Sequence, residues 1–300
     1  MNIHTIDLEF QGTKQVVACY ALESSEGWVL VDPGPSSCIP ALERGLAALG
    51  ADVSQIFAIV LTHIHLDHAG ACGTLLERNS AELYVHTKGA KHLISPERLL
   101  SSATQIYGDQ MERLWGGVLP IDPSRVRMIS GDPAETVFIA NLELEAFYTP
   151  GHAVHHLAWK YGDALFCGDV AGIRMIPAQS ARAPTPPPDI DLEAWRNSLD
   201  TPERIQAKTL YLTHYGAYTD VAQHLKDFRF NLESDFRVAR AGIEKGLQGE
   251  DLYTYFRDRV EYDLYLEGGT ELVDRYQMNA PLWMSLQGLE RYWGKKSLKE

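Results

Sequence analysis

The chain has 300 residues, of which 45% are hydrophobic and 22% charged, as in a globular protein with a full hydrophobic core. No apolar run approaches the roughly 20 residues needed to cross a bilayer, and the N-terminus lacks a secretory pattern, so we expect a cytoplasmic protein without membrane contact. A formal net charge of −13 and the lack of an evident basic patch count against a nucleic-acid partner.

The first part of the chain predicts alternating strands and helices. Residues 3–10 and 15–22 alternate between apolar and polar positions and predict a strand hairpin around Gly12. The elements predicted after it are a strand at 28–31, a helix at 38–49, a buried strand at 56–61, a helix at about 70–78 and a strand at 82–86.

A similar succession follows in the second part. The predicted elements are strands near 125–129, 136–140, 142–148, 156–161 and 164–167, a helix near 191–200 and a last strand at 209–212. Two similar halves of strands and helices predict an αββα sandwich whose loops meet along one edge. We expect the chemistry at that edge.

Two segments fall outside this plan. Residues 177–188 carry five prolines and predict a stiff, extended loop. From about Val221 the pattern becomes helical, with Phe228, Leu232 and Phe236 at spacings of four. We therefore predict a catalytic domain over residues 1–220 and a helical C-terminal extension over 221–300.

The cysteines are widely spaced and include no CxxC pair. This spacing predicts neither a zinc knuckle nor a disulfide framework. We expect buried, reduced thiols at all four positions: Cys19, Cys38, Cys72 and Cys167.

A dense cluster of potential metal ligands follows the buried strand at 56–61. It contains His63, His65, Asp67 and His68. In extended backbone the first two histidines point to the same side, and the turn into a helix brings Asp67 and His68 toward them. Because a catalytic zinc takes three protein ligands and keeps a position for water, this run alone completes no two-metal site.

The missing ligands have candidates at the ends of later strands. His152 follows a Pro-Gly turn after the strand at 142–148, Asp169 follows the strand at 164–167, and His214 ends the last strand. A single histidine or aspartate at such a place is more often a turn or cap residue. Together with the cluster at 63–68, the three residues indicate a metal site.

The order HxHxDH, Gly-His, Asp and a final His resembles the metallo-β-lactamase superfamily over roughly residues 1–220. The resemblance implies an α/β fold, the four-layer αββα metallo-β-lactamase sandwich, here with an α-helical C-terminal extension. It implies two divalent metal ions, with His63, His65 and His152 on the first, Asp67, His68 and His214 on the second, and Asp169 bridging both. Asp67 is also assigned a catalytic role.

The resemblance also implies the reaction. Two cations about 3.5–4 Å apart share a water whose pKa falls to about 7, which yields a bridging hydroxide as nucleophile. The carboxylate at Asp169 and the imidazole at His68 are similar to the glyoxalase II, lactonase and phosphodiesterase branches. We expect hydrolysis of a thioester, lactone or related acyl bond in a small molecule. Zinc is the expected metal, with iron or manganese as alternatives.

Two other activities remain open because they use similar motif residues. The first is a persulfide dioxygenase with a single iron, and the second is a phosphodiesterase. In the dioxygenase, Asp67, His68 and His214 would hold no second metal.

Several residues have both a functional and a structural interpretation. Asp32 either organises the metal loops or forms a plain turn before proline. His155 and His156 either contact substrate or pack beside the site, and we favour packing. Tyr215 and Tyr218 either donate to a substrate carbonyl or form part of the core or rim, which we favour.

We expect selectivity to come from the proline-rich loop and the C-terminal helices, as a lid over the metal edge; the competing interpretation is an arm for a homodimer. Their aromatic residues either wall the pocket or, as we favour for most, pack in a core: Tyr253, Tyr255, Phe256, Tyr262, Tyr265, Trp283, Tyr292 and Trp293. The candidates for binding glutathione carboxylates are Arg174, Arg182, Arg237 and Arg240. Four other histidines are expected to be ordinary: His4, His86, His92 and His224.

Overall fold

The structure, a computed structural model, describes residues 2–297. Its first sheet has six strands in sequential order: β1 (Ile3–Asp7), β2 (Ala18–Ser24), β3 (Gly27–Val31), β4 (Ile56–Val60), β5 (Glu82–His86) and β6 (Val126–Ile129). Strands β1 to β3 pair antiparallel, and β3 to β6 pair parallel.

The second sheet also has six strands in sequential order: β7 (Glu135–Ile139), β8 (Leu142–Tyr148), β9 (Leu157–Tyr161), β10 (Ala164–Gly168), β11 (Thr209–Leu212) and β12 (Gly216–Tyr218). Strands β10 and β11 are parallel, and the other neighbouring pairs are antiparallel. Strands β8, β10 and β11 therefore run in the same direction, and their carboxyl ends lie at one edge.

Helices cover the outer faces of both sheets. They are α1 (Ile39–Ala48), α2 (Leu66–Ala69), α3 (Cys72–Leu76), α4 (Thr87–Ile94), α5 (Glu97–Tyr107), α6 (Met111–Trp115), α7 (Leu192–Ser198), α8 (Thr201–Arg204), α9 (Val221–Glu244), α10 (Gly249–Asn279) and α11 (Leu282–Ser297). Helix α10 is interrupted at Gly269, whose φ is 67°. Within residues 2–297, no helix is both long and apolar enough to span a bilayer.

The apolar layer between the sheets also anchors the edge that carries the site. Tyr20 and Trp159 are fully buried in this layer. The Tyr20 hydroxyl donates to the carbonyl of Leu212, and Trp159 Nε1 donates to the carbonyl of Leu61 at 2.8 Å. These two bonds cross from one sheet to the other where β4 and β11 end, so they hold together the loops that follow.

The αββα sandwich and the helical C-terminal region are confirmed, whereas some element bounds differ from the prediction. The first strand ends at Asp7, since Glu9 and Gln11 adopt left-handed backbone conformations. The helix predicted at about 70–78 corresponds to the shorter α3, and a separate short helix, α2, precedes it. Helices α4–α6 and strand β12 were not predicted.

The C-terminal helices share a core with the outer helical layer of the sandwich. Phe228, Phe236, Phe256 and Tyr276 are each at most 2% exposed and belong to one cluster with β-strand and helix residues of the first 220 positions. The proposed boundary at residue 220 remains a prediction. The four cysteines are buried free thiols, as expected.

Candidate metal centre

The seven predicted ligands lie where strands of both sheets end at a common edge. They stand on four loops: His63, His65, Asp67 and His68 after β4, His152 after β8, Asp169 after β10 and His214 after β11. Five of them are at most 3% exposed, and His65 and Asp67 are partly exposed. The structure thus brings together residues that are up to 151 positions apart in the chain.

Three imidazoles form the first group. Nδ1 of His65 lies 3.0 Å from Nε2 of His63 and 3.0 Å from Nε2 of His152. His152 Nδ1 donates to the Pro184 carbonyl at 2.8 Å, so its Nε2 keeps a lone pair directed at the site. The three ligand atoms lie within 4.8 Å of one another, which suits a single cation.

Asp67, His68 and His214 form the second group, whose ligand atoms also lie within 4.8 Å of one another. Nε2 of His214 is 3.3 Å from Oδ2 of Asp67. On its other side, His214 Nδ1 donates to the Val16 carbonyl at 3.1 Å. This outer bond again leaves Nε2 as the nitrogen that can bind a metal.

Asp169 lies between the two groups. Its Oδ2 is 3.4 Å from Nε2 of His152, and its Oδ1 is 3.4 Å from Nε2 of His68 and 3.7 Å from Nε2 of His214. Both His68 Nε2 and Asp169 Oδ1 are buried without a hydrogen-bond partner among residues 2–297. Because such groups are costly to bury unpaired, divalent cations that accept nitrogen and oxygen ligands fit this arrangement.

Asp32 is hydrogen-bonded to the loops that carry the candidate ligands, so the interpretation as a plain turn residue is wrong. It is fully buried, and its carboxylate accepts bonds from the Thr62 amide at 2.8 Å, the Thr62 hydroxyl at 2.6 Å and the Thr213 hydroxyl at 2.9 Å. His68 Nδ1 donates to it at 2.8 Å. Asp32 thereby joins the loops after β3, β4 and β11.

His156 supports Asp169 rather than facing the pocket, as favoured. Its Nε2 accepts the Asp169 amide at 3.2 Å, and its Nδ1 donates to the Thr149 hydroxyl at 2.8 Å. Gly168 has a φ of 49°, and a Cβ there would lie 2.4 Å from Thr62 Oγ1 and 2.7 Å from His156 Nε2. Only glycine therefore permits this close approach before Asp169.

Burial and neighbouring charges divide the histidines into two classes. Burial, reinforced by the surrounding imidazoles, lowers the pKa of His63 well below its usual value and that of His65 to about 3. Burial also opposes protonation of His68 and His214, but nearby carboxylates, first among them Asp169, raise the pKa of both. The first group is thus neutral and ready to bind metal, whereas metal binding at the second displaces protons.

A cavity of about 460 Å³ lies over the metal edge and reaches His65, Asp67, His152, Asp169 and His214. One wall consists of the proline-rich loop and the turn between α10 and α11, with these residues: Pro184, Pro186, Pro187, Pro188, Asn279, Ala280, Met284 and Ser285. The predicted contribution of the loop and the C-terminal helices to one wall of the pocket is confirmed.

The opposite wall consists of α4 and α5, which the sequence analysis did not assign. Lys88, Lys91, His92 and Arg98 line it together with apolar residues. The cations of this wall, Lys88, Lys91 and Arg98, were not grouped in the sequence analysis, and His92, expected to be ordinary, lines the cavity beside them. Positions 88, 91 and 92 lie on one face of a helix, which is the signal that was available in the sequence.

His155 also lines the pocket. It is 7% exposed, and its Nδ1 lies 3.5 Å from the backbone nitrogen of Ile64.

The aromatic residues of the C-terminal helices do not line this cavity. Phe256 and Tyr292 are buried in the core, as favoured, whereas Tyr262 and Tyr265 are each 56% exposed. The rings in the pocket come from α5 and α6, namely Tyr107 and Trp115.

The tyrosines after the last ligand also lie outside the lining of the cavity, as favoured. Tyr218 donates to the Arg174 carbonyl at 2.8 Å, and Tyr215 lines a separate surface groove. Arg174 and Arg182, considered as glutathione ligands, are instead paired with Asp220 and Asp235.

Two mixed sheets flanked by helices, with clustered histidines and aspartates at one edge, define a metallo-hydrolase of the metallo-β-lactamase fold. The sequence model of the metallo-beta-lactamase superfamily matches residues 12–214. The chain therefore belongs to this superfamily and is a metal-dependent, hydrolase-like enzyme.

Individual relatives agree with this assignment. A metallo-beta-lactamase fold-containing protein of Sulfurisphaera tokodaii is 29% identical over 251 residues, which cover 81% of this chain and 90% of the relative. A hydroxyacylglutathione hydrolase of Shewanella baltica is 29% identical over 164 residues, which cover 51% of this chain and 50% of the relative. The chain thus matches about half the length of that enzyme.

Solved structures show the same fold. The archaeal metallo-beta-lactamase superfamily protein from Sulfolobus tokodaii superposes with a TM-score of 0.66 at 24% identity, covering 96% of this chain and 98% of that chain. A metallo-beta-lactamase family protein from Thermus thermophilus gives a TM-score of 0.69 at 19% identity, covering 98% of this chain and 94% of that chain.

Proposed function

We propose that this protein is a dinuclear metal-dependent hydrolase that cleaves an ester-like bond, in a thioester, lactone or related acyl compound of small size. The observation that carries the proposal is the position of Asp169. One carboxylate oxygen lies toward His152 of the first group, and the other lies toward His68 and His214 of the second. A carboxylate so placed suits a bridge between two cations.

Two divalent cations at this edge would lower the pKa of a shared water to about 7 and polarise the substrate carbonyl. The protein positions the ligands for that chemistry. Pro184 and Val16 accept the outer N–H groups of His152 and His214, which aims Nε2 of each ring at the site. Asp67 is partly exposed and lines the pocket, and with metals bound its carboxylate would accept the proton of the attacking water.

The pocket supports a small acyl substrate. Its volume of about 460 Å³ lies in the usual range for small-molecule sites, and much of its lining is apolar, including Leu66, Leu99, Ile106 and Met284. Apolar walls limit access of bulk water to the reacting carbonyl. The match to a hydroxyacylglutathione hydrolase adds support, since that relative by its name hydrolyses an acyl compound of glutathione. We propose zinc as the metal, with iron or manganese as alternatives.

The test combines metal analysis with a substrate panel. Protein reconstituted separately with zinc, iron or manganese is assayed against thioesters, lactones, phosphodiesters and β-lactams. We expect two metal equivalents per chain and highest kcat/KM on a thioester or lactone. One equivalent of iron together with oxygen uptake on a persulfide would identify the dioxygenase instead, and preferential phosphodiester cleavage would identify the phosphodiesterase.

A further inference from the structure

We propose that Lys91 and Arg98, on the α4–α5 wall, bind a carboxylate group of the substrate, so that the enzyme prefers anionic acyl compounds. This inference rests on the proposed function for the bond that is cleaved. It adds the chemical class of the substrate and assigns specificity to a wall that holds none of the seven predicted metal ligands.

The first observation is a local excess of positive charge. The whole chain carries 40 acidic and 27 basic residues. Among the residues that line the pocket, the metal-site aspartates apart, the charged side chains are three cations and one acid: Lys88, Lys91, Arg98 and Asp189. Away from the metal-site aspartates, the lining of the pocket thus has an excess of positive charge, unlike the protein as a whole, and this excess attracts anions to the α4–α5 wall.

The second observation is that two of these cations are not paired with a carboxylate. Lys88 donates to the Tyr148 hydroxyl at 2.7 Å and lies 4.7 Å from the centre of its ring. The ion pairs among residues 2–297 include neither Lys91 nor Arg98. Both side chains are exposed and able to meet a ligand.

The third observation places the two cations in one neighbourhood. Burial lowers the pKa of His92, and the charges of Lys91 and Arg98 lower it further, whereas Asp189 from the proline-rich loop acts in the opposite direction. All four residues line the same cavity, and the charges of Lys91, Arg98 and Asp189 all act on His92, so the four lie in one part of the lining. A substrate carboxylate bound there would be attracted by Lys91 and Arg98 and repelled by Asp189.

Helix electrostatics account for only part of this arrangement. Lys91 and His92 occupy the last turn of α4, where a cation interacts favourably with the helix dipole. Arg98 is the second residue of α5, where the dipole disfavours a cation. The helix dipole therefore does not account for the position of Arg98, whose guanidinium suits a carboxylate ligand.

The experiment compares three thioesters of similar size on the metal-loaded enzyme. S-valeryl-N-acetylcysteamine is neutral, S-valeryl-β-mercaptopropionate carries a carboxylate on the thiol side, and S-glutaryl-N-acetylcysteamine carries one on the acyl side. Two exposed charge contacts of about 0.5–1 kcal/mol each predict a KM roughly tenfold lower for a charged thioester than for the neutral one. The charged thioester with the lower KM shows whether Lys91 and Arg98 bind a carboxylate on the acyl side or on the thiol side of the cleaved bond.

The double variant Lys91→Gln/Arg98→Gln should abolish this preference, raising KM for the favoured thioester about tenfold while kcat stays within about twofold. The matched control is Lys226→Gln/Arg204→Gln, which removes two exposed charges outside the cavity lining and should behave as the wild type. Equal KM values for neutral and charged thioesters in the wild type would overturn the proposal. So would an equal rise in KM for all three in the double variant.

A binding measurement separates failure of this inference from failure of the proposed function. If neither thioesters nor lactones are hydrolysed, the proposed function is wrong, and three non-cleavable thioethers are titrated into the metal-loaded protein by calorimetry. S-pentyl-N-acetylcysteamine is neutral, S-pentyl-β-mercaptopropionate carries the carboxylate on the thiol side, and S-(4-carboxybutyl)-N-acetylcysteamine carries it on the acyl side. Tighter binding of either anion than of the neutral thioether by the wild type, lost in the double variant, supports the carboxylate site. Equal affinities contradict it.

Discussion

Nδ1 of His68 lies 2.8 Å from Oδ2 of Asp32, and both side chains are fully buried beneath the metal edge. The same carboxylate oxygen accepts a hydrogen bond from the Thr62 hydroxyl. The oxygen of that hydroxyl accepts a hydrogen bond from Nδ1 of His63 at 3.1 Å. One buried aspartate thus orients a histidine of each metal group, directly in one case and through Thr62 in the other. In both rings Nε2 is left for the metal.

Asp32→Ala should therefore lower metal affinity by about 10- to 100-fold without removing a ligand. Activity should fall at limiting metal and recover as metal is added. Competitive titration with a chromophoric chelator measures the affinity. The control is Asp122→Ala, which removes an exposed carboxylate that bonds only to Ser124 and should leave metal affinity unchanged. A wild-type affinity in Asp32→Ala would show that the ligands orient themselves unaided.

Asp169→Ala should have a larger and less reversible effect than Asp32→Ala. Since its two oxygens face different ligand groups, its loss should reduce bound metal from two equivalents toward one and lower kcat more than about 100-fold. Added metal should not restore activity. Elemental analysis and steady-state kinetics provide both numbers, and two tightly bound equivalents in the variant would refute the bridging position.

Gly288 tests the contact between α11 and the proline-rich loop. A Cβ at this position would lie 1.9 Å from the carbonyl oxygen of Thr185, so Gly288→Ala must shift the helix or the loop. We expect a loss of about 1–3 kcal/mol in the free energy of unfolding and an altered KM, with metal content unchanged. Urea denaturation measures the first quantity.

Gly294→Ala, on the same helix, is the matched control. A Cβ there meets no atom within 4 Å, and alanine favours the helix by about 0.5–1 kcal/mol. This variant should be slightly more stable than the wild type with an unchanged KM. If both substitutions lowered the free energy of unfolding by similar amounts, the contact between Gly288 and Thr185 would not be what stabilises the packing of α11 against the proline-rich loop.

The metal-free protein should lose stability as the pH falls from about 6.5 to 5. Burial lowers the pKa of eight histidines in the folded state: His63, His65, His86, His92, His152, His155, His156 and His224. Each of these histidines is protonated more readily in the unfolded state, whose pKa is about 6.5. The stability that each contributes is therefore present above pH of about 6.5 and is lost as the pH falls below it.

His68 and His214 act in the opposite sense. Their raised pKa values contribute stability that is present below about 6.5 and is lost as the pH rises through the folded values. Asp235 acts in the same sense, because burial raises its pKa to about 6. These three groups against eight still leave a net uptake of protons on unfolding, so the free energy of unfolding should fall as the pH falls. Urea denaturation of chelator-treated protein at several pH values measures the slope, and stability that is flat or rises toward pH 5 would contradict it.

The sequence by itself determined which histidines and aspartates were candidate ligands, and it determined most of the sheet. The cluster at 63–68 and the strand-end residues His152, Asp169 and His214 could be found in advance because metals require particular side chains at particular strand ends. The strands at 82–86, 142–148 and 209–212 were predicted at their observed bounds, since alternating or continuously apolar runs of this length report burial directly.

Only the tertiary structure decided what surrounds the ligands. An amphipathic pattern shows that a face is buried but not against which surface, so the aromatic residues of α10 and α11 were candidates for the pocket although Phe256 and Tyr292 pack in the core. Lys91 and Arg98 stand on different helices, and they acquired a common wall only through the packing of α4 against α5. Asp32 resembles any turn residue until His68, Thr62 and Thr213 are placed around it, because hydrogen bonds between distant loops depend on distances that the linear order does not contain.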